Sequence, residues 1–319
     1  MHTPPRTLVA ALTAAVAVLA ARPTAIAATF QDVLVQAPTL AAPQRGSLAG
    51  SLSHLAFGPA DLSRGAFQLP LPIAAPGDRG ALLAHVIPSY SPDAGIGEWG
   101  AGWQAELAIR RFRPLGEIDY AGDDFTSPWG RLALGDDGYY PAGLTRVVRA
   151  APVMGGWIAI DADGTQYTFS PVDAVVTSRG FYAWMLSRID TVAGDSTTLT
   201  WSRNPSGRPF LTAVQWGGRG DGSQYQLAFT YEAVDTPFVS LASGDRLAVD
   251  RRVRSVTLGV RQGAGYATRW RYDLTYAASP TGPAFYLSTL TRTFASGERE
   301  PAVTYDYDLG EEQRATAQV

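Results

Sequence analysis

The sequence predicts an all-β fold, with one large antiparallel sheet laid out as a meander of hairpins. Several segments alternate apolar and polar residues with a period of two, as half-buried strands do. The 33 glycines and 22 prolines concentrate between these segments, where turns are needed. Beyond the first 27 residues, no segment keeps apolar residues at i, i+3, i+4 and i+7 over three turns. The period of two favours antiparallel sheets with one buried face.

The clearest alternation lies in the second half of the chain. Large apolar side chains alternate with small or polar ones in four segments: residues 225–231, 256–260, 270–276 and 303–309. Each is predicted to be a strand that buries one face.

Two turn signals support hairpins in the first half. Residues 157–160 and 165–169 flank Asp163-Gly164, a pair typical of tight hairpin turns. Residues 135–138, with the sequence Gly-Asp-Asp-Gly, predict a second turn.

A degenerate repeat also runs through the second half. An apolar pair spaced three residues apart recurs, and each copy is followed by a strand rich in Tyr or Trp. The pairs are Leu186/Ile189, Leu211/Val214, Val253/Val256 and Leu287/Leu290. Their irregular spacing excludes a solenoid of fixed period but suits a meander of hairpins.

The N-terminus has the features of a secretion signal. Arg6 precedes the weakly apolar run 8–21, and Ala25-Ile26-Ala27 gives a small-x-small cleavage pattern. The run is too short for a bilayer span, so we expect a secreted or periplasmic protein without a transmembrane segment in its mature chain. The chain has no cysteine, so a secreted product would depend on its buried core for stability.

Four regions follow from these patterns. We predict a signal peptide over residues 1–27 and an irregular lead-in over 28–60. A β domain is predicted over 61–309, and a C-terminal tail over 310–319.

No catalytic, cofactor or metal site is predicted. His54 and His85 are the histidines left after signal removal, and neither has an identifiable catalytic partner. The acid pairs Asp123/Asp124, Asp136/Asp137 and Glu311/Glu312 are adjacent in sequence, which turns explain without chemistry. A net charge of -3 gives no electrostatic footprint for nucleic acid.

Two other motifs have ordinary structural explanations. Asp161, Asp163 and Gly164 match half of a calcium loop, but a turn is a sufficient explanation. Arg219-Gly220-Asp221 matches a cell-adhesion tripeptide inside a glycine-rich loop, where a turn again suffices.

The motif Trp99-Gly100-Ala101-Gly102-Trp103 is predicted to be structural. Two glycines between large aromatic residues suit a tight bend with both indoles buried. With the Asp163-Gly164 turn, this motif supplies the residues that we single out: Trp99, Gly100, Gly102, Trp103, Asp163 and Gly164.

These residues also resemble a known family. The run 65–73, the Trp99–Trp103 motif, residues 184–190 and residues 301–305 are similar, in order and spacing, to the SpvB-type N-terminal domain. That domain opens the B components of insecticidal toxin complexes, and residues 189–201 resemble an RHS-type (tyrosine-aspartate) repeat. The resemblance implies an RHS-shell-like or sandwich-like fold. It also implies a non-enzymatic wall domain whose partner is an RHS-type or toxin-complex protein, or a second copy.

Three functional hypotheses therefore stand. The first is a secreted structural or interaction domain related to toxins. The second is a β-rich module that binds carbohydrate or a surface, which a row of exposed aromatic rings would favour. The third is a hydrolase, which would need His85 or a carboxylate pair in a deep cleft.

Overall fold

A computed structural model describes eight stretches of the chain: residues 69–76, 86–92, 94–113, 116–122, 124–142, 148–219, 222–280 and 282–307. Every helix or strand assigned within these stretches is a β-strand, which confirms the all-β prediction. None of the described residues forms a helix long and apolar enough to cross a membrane. The predicted signal peptide, lead-in and tail lie outside the described residues.

Eight strands form a closed antiparallel sheet. It closes because β13 pairs with β6 and also with β12. The strands are β6 (Ala108–Arg111), β7 (Phe125–Ser127), β8 (Gly130–Leu134), β9 (Tyr139–Pro141), β10 (Arg149–Val153), β11 (Gly156–Ile160), β12 (Gln166–Thr177) and β13 (Gly180–Asp190).

Aromatic rings fill the interior of this closed sheet. Trp157 lies at the centre, with ring centroids 4.8 Å from Phe125, 5.1 Å from Tyr139 and 5.8 Å from Trp184. All four are buried and meet edge to face, an arrangement that adds to the free energy of apolar burial.

Seven further strands continue from β13 as an open antiparallel sheet. They are β14 (Asp195–Arg203), β15 (Pro209–Arg219), β16 (Tyr225–Ser240), β17 (Leu247–Gln262), β18 (Gly265–Ala278), β19 (Phe285–Phe294) and β20 (Val303–Thr304). Consecutive strands pair in chain order, so the predicted meander of hairpins is confirmed.

The two faces of the open sheet differ in chemistry. One cross-strand row on the inner face consists of Leu199, Val214, Leu227, Leu258, Trp270 and Phe294. The neighbouring row on the outer face consists of Thr200, Ala213, Ala228, Thr257, Arg271 and Thr293. The period of two in the sequence therefore separates an apolar inner face from a polar outer face.

The apolar pairs spaced by three residues coincide with β-bulges. In β15, Leu211 pairs with Trp201 and Ala213 with Thr200, so Thr212 is an extra residue. In a regular strand, Leu211 and Val214 would point to opposite faces. The extra residue lets both side chains point to the inner face. The equivalent extra residues of the other copies are Ser187, Arg254 and Ser288.

In three of the four copies, an aromatic side chain from the next strand donates a hydrogen bond to the backbone carbonyl of the first residue of the pair. Trp201 donates its indole N–H to the Leu186 carbonyl at 2.8 Å. The hydroxyls of Tyr231 and Tyr276 donate to the carbonyls of Leu211 and Val253. These bonds explain the Tyr or Trp that follows three of the four copies, since an unpaired buried carbonyl is costly.

One strand is shorter than predicted. The sequence predicts a strand over 303–309, but β20 contains only Val303 and Thr304. It pairs with two residues of β19, after which the Tyr305 ring packs against Trp103 and the Tyr307 hydroxyl accepts a hydrogen bond from the Trp103 indole. Contact with this indole takes the place of further pairing.

The N-terminal strands cover the inner face of the open sheet. They are β1 (Leu69–Pro70), β2 (Ser89–Tyr90), β3 (Ile96–Gly97), β4 (Gly100–Ala101) and β5 (Trp103–Gln104). We call residues 69–76, 86–92 and 94–107 the cover. Its Ala74 N–H donates to the Tyr272 hydroxyl at 2.8 Å, and its Glu98 carbonyl accepts from Val253 N–H at 2.8 Å.

Candidate functional site

The Trp99–Trp103 motif anchors the cover on the sheet beneath it. Trp103 is 1% exposed and donates its indole N–H to the Tyr307 hydroxyl at 2.8 Å. Trp99 is also buried and meets Phe229 edge to face at 6.0 Å. The two indoles therefore hold the cover at two separate points of the open sheet.

The two glycines of the motif permit a close backbone approach. Gly100 (φ 98°) and Gly102 (φ 79°) lie in the left-handed region that favours glycine. A Cβ at Gly100 would lie 3.0 Å from the Phe285 carbonyl oxygen, and one at Gly102 would lie 2.4 Å from the Tyr90 ring. Both positions therefore require glycine for two independent reasons, backbone conformation and space.

A groove of about 630 Å³ lies between the cover, the closed sheet and the open sheet. It exists because the hairpin of β16 and β17 diverges from β15 beyond the Ala213–Ala228 pair. Its walls carry both charged and aromatic side chains. They include Glu98, Arg110, Tyr182, Arg208, Phe210 and Tyr231.

A partly buried ion pair lies in this groove. Arg208 Nε contacts Glu98 Oε1 at 2.7 Å, and a second contact of 3.3 Å makes the pair bidentate. Burial lowers the pKa of Arg208, but the Glu98 carboxylate outweighs burial and the net pKa is raised. Because the two residues are 110 positions apart, no local sequence pattern could have indicated the pair.

The groove offers binding groups instead of an acid–base pair. Burial raises the pKa of Tyr231 well above its ordinary value and also raises that of Tyr182, so both phenols stay protonated at neutral pH. Glu98 is engaged by Arg208. Within the described residues, no group of three or more His, Asp or Glu side chains could hold a metal ion.

His54, His85, Asp123, Glu311 and Glu312 lie outside the described residues, as does Gly220-Asp221 of the adhesion tripeptide.

The remaining acids that are described occupy surface positions. Asp124 is exposed and ion-paired with Arg131 at 2.7 Å. Asp137 is exposed beside Arg149 at 3.2 Å, and Asp136 is also exposed. Adjacent acids therefore do not converge on a common site here.

The Asp163-Gly164 pair forms the turn between β11 and β12. Asp163 N–H donates to Asp161 Oδ1 at 3.1 Å, and the Thr165 hydroxyl donates to Asp163 Oδ1 at 2.9 Å. Gly164 has φ 81°, as such turns require. Local turn geometry accounts for these residues.

The open sheet ends in an unpaired edge. One side of β20 pairs with β19, and within the described stretches no strand pairs with its other side. Tyr305 N–H donates to the Ser288 carbonyl, so the N–H of the preceding Thr304 points away from β19. Among the described residues, the buried Tyr305 hydroxyl has no hydrogen-bond partner, unlike the hydroxyls of Tyr231 and Tyr276.

Comparison with solved structures identifies the fold. The N-terminal domain of effector protein SpvB from Salmonella typhimurium strain LT2 matches with a TM-score of 0.57 and 18% identity, over 78% of this chain and 100% of that chain. The TcdB2-TccC3-TEV structure matches with a TM-score of 0.60 and 17% identity, over 85% of this chain. A Photorhabdus luminescens Tc holotoxin pore matches with a TM-score of 0.60 and 17% identity, over 78% of this chain.

The chain has the fold of the SpvB N-terminal domain, which confirms the predicted resemblance at the level of fold. It spans only 17% and 16% of the two toxin-complex chains. No protein-family model matches the sequence. No curated protein matches it either.

Proposed function

We propose that this chain is a non-catalytic wall domain of a toxin-related assembly, which acts by pairing with another β-rich protein. The fold shared with SpvB and with TcdB2-TccC3 structures supports this proposal. So does the construction of the groove, where Arg208 and Glu98 engage each other and the Tyr231 hydroxyl donates to a backbone carbonyl.

The observation that carries the proposal is the edge at β20. A free edge exposes unpaired N–H and C=O groups, which pair readily with a strand from another chain. The edge is short, and Arg299, Glu300 and Pro301 precede it. Charges and proline beside an edge oppose indiscriminate pairing, so the expected partner contributes one specific strand.

Site-specific crosslinking in the producing organism tests the proposal. A photoreactive residue at Thr304 should capture one exported β-rich protein, identified by mass spectrometry. The same residue at Thr200, exposed on the outer face of β14, is the matched control. With the photoreactive residue at Asp306 instead, which is also exposed, Thr304→Pro should abolish capture while the protein stays folded, because it removes an N–H that points away from β19.

Three results would contradict the proposal: no captured protein at Thr304, equal capture at Thr200, or capture from Asp306 that persists in Thr304→Pro. Turnover of a glycan or ester by the purified chain would instead favour the hydrolase alternative. Every aromatic side chain in the described stretches is buried or half-buried, so no row of exposed rings there supports the carbohydrate-binding alternative.

We also propose that the protein is exported, on the strength of Arg6, the apolar run 8–21 and the Ala25-Ile26-Ala27 pattern. Cleavage is expected between Ala27 and Ala28. Intact-mass measurement of the exported protein should show loss of residues 1–27. A membrane-bound product that retains them would contradict export by this signal.

A further inference from the structure

The tip of the hairpin between β10 and β11 has an unusual residue in a strained conformation. Val153 pairs with Gly156, so Met154 and Gly155 form a two-residue turn with φ values of 49° and 80°. Such type I′ turns prefer Asn, Asp or Gly at both positions, because a bulky residue with positive φ is strained. Met154 is nevertheless 97% exposed, so no burial within the chain offsets the strain.

The turn is held rigidly from inside the closed sheet. The Gly155 carbonyl accepts a hydrogen bond from the buried Trp184 indole at 2.7 Å. A Cβ at Gly156 would lie 2.4 Å from the Phe169 carbonyl oxygen, so the backbone is close-packed there. A strained residue on a rigid support is typical of a functional contact.

Met154 lies beside another exposed apolar side chain. β12 runs next to the tip, since a Cβ at Gly155 would lie 3.9 Å from Pro171, and residues 171–174 of β12 bulge away from β13. Val172 is 79% exposed at this bulge, and Val153 at the tip is exposed as well. We call Val153, Met154 and Val172 the apolar strip.

Opposite charges accompany the strip. Asp173 directly follows Val172, and the Arg203 guanidinium donates to the Val172 carbonyl at 2.7 Å. The two side chains are close enough for Arg203 to lower the pKa of Asp173, although burial of the carboxyl raises it overall. A surface with a cation and an anion beside one apolar centre can complement itself about a two-fold axis.

We propose that the apolar strip is the contact surface between two copies of this chain. In such a pair, the Met154 tips pack against the partner strip, and each Asp173 faces the partner's Arg203. A protein surface fits better than a lipid surface, because membrane-binding tips carry excess cationic charge and this one has a balanced pair. Three apolar side chains are less than a standard interface buries, so the pair should be weak and reversible.

Sedimentation velocity on the exported chain, from micromolar to near-millimolar concentration, tests the proposal. The mean mass should rise toward that of a dimer. Met154→Asn should weaken association by at least about tenfold, while the fold is kept because Asn suits the type I′ turn. Val192→Asn is the matched control, since Val192 is 80% exposed on a different turn and lies outside the strip.

Charge reversal gives a second measurement. Asp173→Arg alone and Arg203→Asp alone should each weaken association, and the double reversal should restore it. A chain that stays monomeric, or Met154→Asn and Val192→Asn with the same association constant, would overturn the proposal. So would flotation of the monomer with phosphatidylcholine–phosphatidylglycerol vesicles that requires Met154. Each of these failures leaves the proposed pairing at β20 untouched.

Discussion

Replacement of Trp103 by alanine should cost about 4 kcal/mol of unfolding free energy. The indole is 1% exposed, and its ring centroid lies 5.2 Å from Tyr305 and 5.5 Å from Tyr90. Truncation of a large buried aromatic side chain costs about 3–5 kcal/mol, through lost apolar burial and the cavity that remains. The lost hydrogen bond to Tyr307 adds little, because that phenol is only partly buried and can bond to water.

Urea unfolding followed by far-ultraviolet circular dichroism measures this cost without relying on the deleted fluorophore. Two further variants separate the contributions. Trp103→Phe keeps an aromatic ring and should cost less than the alanine variant. Tyr307→Phe should cost about 1–3 kcal/mol, because it leaves the buried indole N–H of Trp103 without its acceptor. Burial raises the pKa of Tyr307 to about 12, so its hydroxyl stays protonated throughout the assay range. A loss below about 1 kcal/mol in Trp103→Ala would refute the anchoring role of the indole.

Three other outcomes are expected. Gly102→Ala should cost about 2–3 kcal/mol of unfolding free energy, measured by thermal or urea unfolding, because a Cβ there would lie 2.4 Å from the Tyr90 ring. Gly297→Ala is the control, since Gly297 also has positive φ but has open space around it, and it should cost about 1 kcal/mol. Equal losses in the two variants would disprove the steric explanation. Tyr231→Phe should lower the unfolding free energy by about 1 kcal/mol, because it removes the hydrogen bond to the Leu211 carbonyl. Tyr305→Phe should lower it by nothing, since no described residue pairs with the Tyr305 hydroxyl. A comparable loss in both variants would contradict a stabilising role for the bond from Tyr231 to the carbonyl. Hydrogen bonds from Arg251 and Asn204 lower the pKa of Asp250. The ionised carboxylate therefore stabilises the fold above pH ~4, and this stabilisation is lost as the pH falls through the folded-state pKa. The urea midpoint of Asp250→Asn should drop less between neutral and acidic pH than that of the unmodified protein, and an equal drop would rule this contribution out.

Only part of the candidate site was visible in the sequence. The Trp99–Trp103 motif stood out as a bend because its residue types alone imply positive φ and buried rings. Nothing in the sequence indicated that this bend packs on the strand pair beyond residue 270, or that Glu98 meets Arg208. Such contacts join residues more than 100 positions apart, and only the register of the intervening strands brings them together.

The sequence showed the three-residue spacing of the apolar pairs but not the bulges that explain it. Leu211 and Val214 recur at a distance that a regular strand cannot place on one face. The bulge that reconciles them is a property of the pair with β14, because an extra residue can be recognised only against its partner strand. The same holds for Met154, whose strain follows from the two-residue turn that pairing of β10 and β11 imposes.

The sequence by itself determined the strands, their inward faces and the tight turns, since these follow from side-chain alternation and from local φ preferences. Tertiary structure alone decided that β13 closes eight strands on themselves, that the cover lies on the open sheet, and that no other strand of the described stretches pairs with β20 beyond β19. The physical reason is that backbone hydrogen bonds are nearly identical for every pair of strands. Which strands pair is therefore selected by long-range packing of their faces, a property that no local segment of the sequence contains.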